Sequence, residues 1–398
     1  MIRRSFQYFF IIAFMMVLIA PGVFCQTEIE QRIKQFNGFS GILVEDLNTK
    51  EVLIAHHQNR LFTPASLVKW YMLLAGLEIL GEGYQYATRI YFSSTLMGEI
   101  RGDLYIQGSG DPTQSSEIIA QIAHSLVKKY NIHHIFWNIV LDNSRFNNEE
   151  FLGKGWMWDD ENPIIGAIAV KGYHMEDKKF SYFNVMPLVW GELFCQELRR
   201  LGVQIDGNLM IGKVKQGMSI KAIFYSEKLD NILANMMKMS DNQSAEIIFR
   251  TLPLVQNSKD TSTIHFAITS LSELLLELFN IQWGKDYILV DGCGLSEYNL
   301  LTPVQIVMII SYLYRQLGDE LLKYLANTNE RCTMKERFPF SLWGKTGSLP
   351  AASGLAGILE TKENRQVVFC LMENNFFGEN NNPKDFEDAI IEYIYEHF

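Results

Sequence analysis

The chain has 398 residues, 48% of them hydrophobic, enough apolar side chain for a sizeable core and most naturally for two compact units. Forty-five acidic residues against 35 basic ones leave a formal net charge of -10, which excludes the footprint of a nucleic-acid binder and a polybasic membrane patch. The same composition excludes a disordered chain, and it requires that any anionic ligand be met by a local cation.

The first 25 residues run from Arg3 and Arg4 through the apolar stretch Phe9 to Ala20 and end in Pro21-Gly22-Val23-Phe24-Cys25, the layout of a secretory leader over residues 1–25. That stretch is shorter than the roughly 20 apolar residues that cross a bilayer, so cleavage after Gly22 or Cys25 is expected, with peripheral membrane association left open. Bulky Phe24 argues against a lipid-modified Cys25.

Glu28 to Phe36 then reads as a short helix. Gly41 to Asp46 and Glu51 to Ala55 read as a hairpin across Leu47-Asn48-Thr49-Lys50. Thr63-Pro64-Ala65-Ser66 is a helix start, followed by an apolar stretch through Leu80. From Arg89 to Ser226 the texture changes. Short β-like runs (Ile90 to Phe92, Leu104 to Ile106, Ile135 to Leu141) alternate with turns such as Gly108-Ser109-Gly110-Asp111-Pro112, and one helix, Glu117 to Lys129, interrupts them. Leu229 to Arg250 and Ile264 to Leu278 read as helices. Trp343 to Gly347, Gly354 to Glu360 and Gln366 to Met372 read as strands, and Phe386 to His397 closes the chain as a helix. The expected fold class is α+β: an antiparallel sheet flanked by helices, built from 26–88 and 227–398, with an inserted α+β domain at 89–226.

Cys195, Cys293, Cys332 and Cys370 are scattered without CxxC or metal-type spacing, and the adjacent pairs His56-His57 and His133-His134 point to opposite faces of a strand. No metal and no cofactor is expected.

Three short motifs occur in order: Ser66-Leu67-Val68-Lys69, Ser240-Asp241-Asn242 and Lys345-Thr346-Gly347. On a helix, residues three apart share a face, which brings Lys69 within reach of the Ser66 hydroxyl. A serine is a poor nucleophile until its proton is taken, and a lysine can take it once desolvation and a neighbouring cation, here Lys345, have lowered its pKa. The Ser66 N–H and a strand N–H at Ser348 form the two halves of an oxyanion hole. Ser240 supplies a hydroxyl for a proton relay, and Asn242 an amide that fixes substrate or Lys69. Lys345 and Thr346 offer a carboxylate site, and Gly347 leaves a bare strand edge for an extended peptide. The letters S-x-x-K alone are uninformative: Ser125-Leu126-Val127-Lys128 repeats them inside a predicted helix and reads as an ordinary helix face.

With its motifs in this order, the chain resembles the class C low-molecular-mass penicillin-binding proteins, the D-alanyl-D-alanine carboxypeptidase/endopeptidase group. Phe62 to Ser66, Gly102 to Tyr105, Gly108 to Thr113, Val140 to Phe146, Gly155-Trp156, Met236 to Asn242 with Ala245-Glu246, and Asp291 to Ser296 with Asn299 carry the resemblance. It implies a penicillin-recognising transpeptidase domain with an insert, and a periplasmic serine DD-peptidase. Peptidoglycan stem peptides are its implied substrates, and β-lactam antibiotics its implied acylating agents. It also implies that Asp142 lies beside the active site and meets the side-chain end of the stem peptide; on the residues alone, Asp142 caps a turn with Asn143 and Ser144. Cys293 stands where this family usually has serine, Arg331-Cys332-Thr333-Met334 replaces its Gly-Thr-Leu, and the asparagine expected near Lys171-Gly172-Tyr173-His174 is absent. A β-lactamase shares every motif but needs an efficient deacylation base. A non-catalytic cell-wall binder has no use for an activated nucleophile.

Overall fold

The computed structural model describes residues 21–93, 95–147, 153–157, 162–163, 165–171, 182–378 and 381–398. The leader up to residue 20 and the Gly172–His174 stretch lie outside the described residues.

Helix α1 (Pro21–Gln35) begins seven residues before the helix expected from Glu28. The hairpin is present as β1 (Phe39–Asp46) and β2 (Val52–His56), with the Asp46 carboxylate accepting from the Asn48 and Thr49 amides to hold the turn. A 3-10 turn at Ala65–Val68 leads into α2 (Lys69–Ala75). Next come β3 (Ala87–Tyr91), β4 (Thr95–Leu96), β5 (Glu99–Ile100), β6 (Leu104–Gln107), α3 (Ser116–Tyr130), β7 (His134–Ile135), β8 (Ile139–Asp142), α4 (Tyr182–Arg200), β9 (Gln204–Ile205), β10 (Leu209–Ile211) and β11 (Ile220–Tyr225). The chain then runs through α5 (Leu229–Met239), α6 (Asn242–Gln256), α7 (Ile264–Phe279), α8 (Pro303–Leu317), β12 (Ala326–Asn327), β13 (Leu342–Leu349), β14 (Ala352–Glu360), β15 (Gln366–Asn374) and α9 (Pro383–His397).

One antiparallel sheet of six strands, ordered β12-β13-β14-β15-β1-β2, joins the two ends of the chain through the β1–β15 pairing of Ile42 with Leu371 and Val44 with Phe369. Period-two alternation sorts its side chains. Leu43, Ala356, Ile358, Val368, Cys370 and Met372 face a core shared with α2, α6 and α8, whereas Ile42, Val44, Leu355, Leu359, Val367, Phe369 and Leu371 face α1 and α9. Each fully buried aliphatic or aromatic side chain contributes roughly 1.5–3 kcal/mol, so both faces of the sheet must be covered. Two smaller sheets, β10-β8-β6-β3-β11 and β4-β5-β7-β9, mix parallel and antiparallel pairs and pack a separate apolar cluster that includes Ile106, Leu126, Trp190 and Leu198.

Three expectations are corrected. The run from Ile135 to Leu141 is two strands in different sheets, parted where the Asn138 side chain bonds Asp103 and the Asn208 amide. Residues 89–226 hold a second helix, α4, whose Pro187 and Gly191 disguise it; a Cβ at Gly191 would lie 2.7 Å from Leu141 and 2.6 Å from Leu209, so the glycine lets the helix lie against β8 and β10. Finally, the helix read from Leu229 to Arg250 is broken at Ser240, with consequences for the site.

Candidate active site

The segment entering Ser66 is clamped from both sides. Phe62 and Leu301 exchange backbone hydrogen bonds, and the Asn374 side chain accepts from the Thr63 amide (2.7 Å) and donates to the Thr63 carbonyl (3.1 Å). Ala65 then adopts φ +47°, a left-handed conformation costing an alanine about 1–2 kcal/mol, which the clamp sustains. Directly beneath, Gly347 and Gly354 are paired across β13 and β14. A Cβ at Gly347 would stand 3.2 Å from the Ser66 nitrogen, and one at Gly354 would stand 2.8 Å from Leu67, so the glycine pair lets the 3-10 turn rest on the sheet.

Ser240-Asp241-Asn242 occupies the joint between α5 and α6. Ser240 ends α5 at φ +58°, its amide bonded to Met236 O; Asp241 caps α6 by accepting from the Gln243 and Ser244 amides; Asn242 is the first helical residue. An aspartate before a helix start was the signal for this break, hidden by the apolar periodicity on both sides.

Lys69, fully buried, donates from Nζ to Ser66 Oγ (2.9 Å), Asn242 Oδ1 (2.7 Å) and the Cys293 carbonyl (2.6 Å). Lys345, also fully buried, donates to Ser240 Oγ (2.8 Å) and the Thr346 carbonyl (2.6 Å). Burial brings the Lys69 pKa down to about 8, against the opposing pull of Cys293, Asp291, Asp241 and Glu246; desolvation wins. Lys345 is held well below the ordinary lysine range by burial and then by Lys69. Ser66, Ser240, Asn242 and Thr346 are half-buried and Ser348 is exposed, so the cluster opens toward solvent above two desolvated amines. Beyond the pairing of Trp343 and Gly344 with β12, β13 has no described strand on that side, leaving residues 345–349 as a free edge.

The structure thus brings together Ser66, Lys69, Ser240, Asn242, Lys345, Thr346, Gly347 and Ser348. Asp142 is different. It is 2% exposed, and its carboxylate accepts from Gln107 Nε2, the Val214 amide, and the amide and hydroxyl of Ser144. Those four bonds match the turn-capping expected of Asp142 on its residues alone and extend it to the neighbouring strands. Ser125 and Lys128 are exposed on α3.

Sequence reasoning gave no role to three parts of the site. The Cys293 carbonyl orients Lys69; because the site uses backbone at this position, cysteine can stand where serine is usual, and its thiol is buried and pushed up. Asp291 organises that loop. Thr333 sets its hydroxyl 3.1 Å from the Thr346 hydroxyl, on the free side of β13. Cys195, Cys293, Cys332 and Cys370 are free. Among the described residues no group of three or more His, Cys, Asp or Glu side chains could hold a metal.

An antiparallel sheet flanked by helices, with the serine and its lysine beside the free edge of β13, defines a penicillin-recognising fold carrying an insert. The model of the D-Ala-D-Ala carboxypeptidase 3 (S13) family matches residues 26–177 and 166–396, and the chain belongs to that family of serine peptidases. It is 21% identical to the D-alanyl-D-alanine carboxypeptidase DacB of Haemophilus influenzae, over 84% of this chain and 85% of that protein. The crystal structure of penicillin-binding protein 4 from H. influenzae superposes with a TM-score of 0.82 at 19% identity, over 93% of this chain and 99% of that one. A predatory peptidoglycan endopeptidase from Bdellovibrio bacteriovorus superposes with a TM-score of 0.60 at 17% identity, over 90% and 92%.

Proposed function

We propose that this protein hydrolyses D-alanyl bonds of peptidoglycan stem peptides through an acyl-enzyme on Ser66. The terminal D-alanyl-D-alanine bond and the D-alanyl-diaminopimelate crosslink both present the required carbonyl. The observation that carries the reading is the 2.9 Å contact between Ser66 Oγ and a buried Lys69 whose pKa is drawn down to about 8. Near neutral pH such an amine is deprotonated often enough to accept the Ser66 proton as Oγ attacks the carbonyl carbon.

The Ser66 and Ser348 amides receive the developing oxyanion, and Asn242 holds the Lys69 amine in line. The carbon–nitrogen bond breaks with a proton delivered to the leaving amine through Ser240, which Lys345 touches at 2.8 Å. Water then hydrolyses the acyl ester and frees Ser66. An incoming substrate carboxylate favours the charged form of Lys345 and accepts from the Thr346 hydroxyl, while the peptide extends along Gly347 and Ser348. β-Lactams, whose strained amide offers the same carbonyl and carboxylate, acylate Ser66 by the same attack.

The proposed organisation is a catalytic domain of residues 26–88 and 227–398 with residues 89–226 inserted, supported by the separate sheets and apolar clusters. The proposed location is the periplasm, reached through the 1–25 leader; among the described residues no helix is long and apolar enough to cross a membrane. Incubation with a fluorescent penicillin and with defined muropeptides tests the reading. A long-lived adduct on Ser66 together with D-alanine or crosslink-cleavage products is expected. Rapid turnover of the penicillin without muropeptide products indicates a β-lactamase instead, and no adduct indicates a non-catalytic binder.

A further inference from the structure

Trp156 belongs to the stretch 89–226, yet its strongest polar contact lies behind the catalytic lysine. The side chain is 8% exposed, and its indole Nε1 donates to Asp291 Oδ2 at 2.7 Å. Around it, the described segment 153–157 is seated closely on the loop that follows Asp291. The Lys154 carbonyl accepts from Ser296 Oγ at 2.6 Å, and Gly155, at φ +80°, lies so near that a Cβ would stand 2.6 Å from Ser296 Oγ and 2.8 Å from the Tyr298 ring.

Asp291 is 1% exposed and is the hub of that loop. Oδ1 accepts from the Gly294 amide and from Asn299 Nδ2, both at 2.8 Å; Oδ2 accepts from the Ser296 amide and from Trp156, both at 2.7 Å. Inside the loop so held, two backbone groups meet the reacting pair. The Cys293 carbonyl takes a hydrogen bond from Lys69 Nζ at 2.6 Å, and Gly294, at φ +88°, packs where a Cβ would come within 3.0 Å of the Ser66 nitrogen. A buried carboxylate with four good donors sits rigidly; with one donor removed it must shift or recruit water, and the loop moves with it.

We propose that Trp156 is a positioning residue for the acylation step: by holding Asp291 it fixes the Cys293 carbonyl, and so the direction in which the Lys69 amine meets Ser66. The inference rests on the assignment of Ser66 and Lys69 given above. It makes the inserted stretch part of the catalytic apparatus, since one of its indoles helps aim the general base. The charged and titratable groups facing Lys69 are Asp241 at the cap of α6, Glu246 within α6, Asp291 and Cys293 from the loop and Lys345 from β13. Of these, Asp291 is the one Trp156 touches.

Trp156→Phe tests the inference, because it keeps most of the ring and removes only the N–H. The readouts are the rate of Ser66 acylation by a fluorescent penicillin from pH 5 to 10, kcat and KM on a D-alanyl-D-alanine peptide, and the melting temperature. The expected result is a fall in kcat of about tenfold to a hundredfold with little change in KM, the size that follows when a reacting group is misaimed. The midpoint of the pH profile should move as well, because the Lys69 amine has lost its fixed carbonyl. Wild-type kcat and an unmoved midpoint in a folded variant overturn the inference. So does an activity loss that only tracks a lowered melting temperature and vanishes well below it, which assigns Trp156 to packing. If the unaltered protein itself takes no label on Ser66, the assignment of the nucleophile fails, and this inference fails with it.

Discussion

The tetrapeptide Ser-Leu-Val-Lys occurs twice in this chain, at 66–69 and at 125–128, and only one copy sits in a reactive setting. Both are helical and both place hydroxyl and amine three residues apart. The copy at 125–128 lies within α3, with Ser125 and Lys128 exposed to water. At 66–69 the chain arrives through a left-handed Ala65, rests on a glycine pair, and buries Lys69 completely against Asn242 and Cys293. Reactivity here follows from desolvation and from convergence of distant segments, and four letters encode neither.

The most severe way to break that contrast is to remove each copy in turn. Ser66→Ala should abolish penicillin labelling and D-alanine release, a loss on the order of 10⁴-fold or more as for other activated nucleophiles, whereas Ser125→Ala should leave both within twofold. Labelling that survives in the first variant, or is lost in a folded Ser125→Ala protein, overturns the assignment. A smaller effect is expected at the far side of the site. Lys345→Ala should raise KM for substrates ending in a free carboxylate by about tenfold to a hundredfold, in keeping with loss of a charge-assisted contact, and should matter much less for an amidated analogue. Equal losses on both would assign Lys345 to the proton relay alone.

The smallest effect separates burial that makes chemistry from burial that only costs stability. Glu373 on β15 is fully buried, and burial together with the adjoining Glu387 raises its pKa well above the usual 4.5; Glu387 is itself held by Ser353 and Arg337. An acid whose folded pKa exceeds its unfolded value binds more protons when folded, so it contributes a loss of stability that grows as pH rises from about 4.5. Glu373→Gln should therefore melt higher than the parent at pH 7 to 8, by a few degrees, with the gap closing toward pH 4. A gap independent of pH would show that Glu373 is not held protonated. Activity should be unchanged, since the residue lies on the α9 side of the sheet.

The closing strands of the six-stranded sheet were legible in the sequence, since Gly354–Glu360 and Gln366–Met372 are buried on both faces and read as continuous apolar runs. The three motifs were legible from their letters and their order along the chain, and two of them from their setting as well, a helix start at Ser66 and a strand at Lys345. The break at Ser240 was not, because Leu229 to Arg250 keeps its helical apolar period straight across it, and a one-residue left-handed turn leaves no trace in periodicity. Nor was the role of the loop after Asp291. What it gives to Lys69 is a backbone carbonyl, and a carbonyl has no letter of its own. Asp142 shows the reverse: a motif residue whose place in the structure is accounted for by the turn it caps.

The claim on which everything else depends is that a buried Lys69 gives up its proton near neutral pH to activate Ser66. The rate of Ser66 acylation by a labelled penicillin, followed from pH 5 to 10 with the adduct located by peptide mass, tests it most directly. The account predicts a rate that rises through a midpoint near 8 and levels above it, with the label on Ser66. A rate still climbing at pH 10, as for a lysine in water, or an adduct on any other residue, would contradict it.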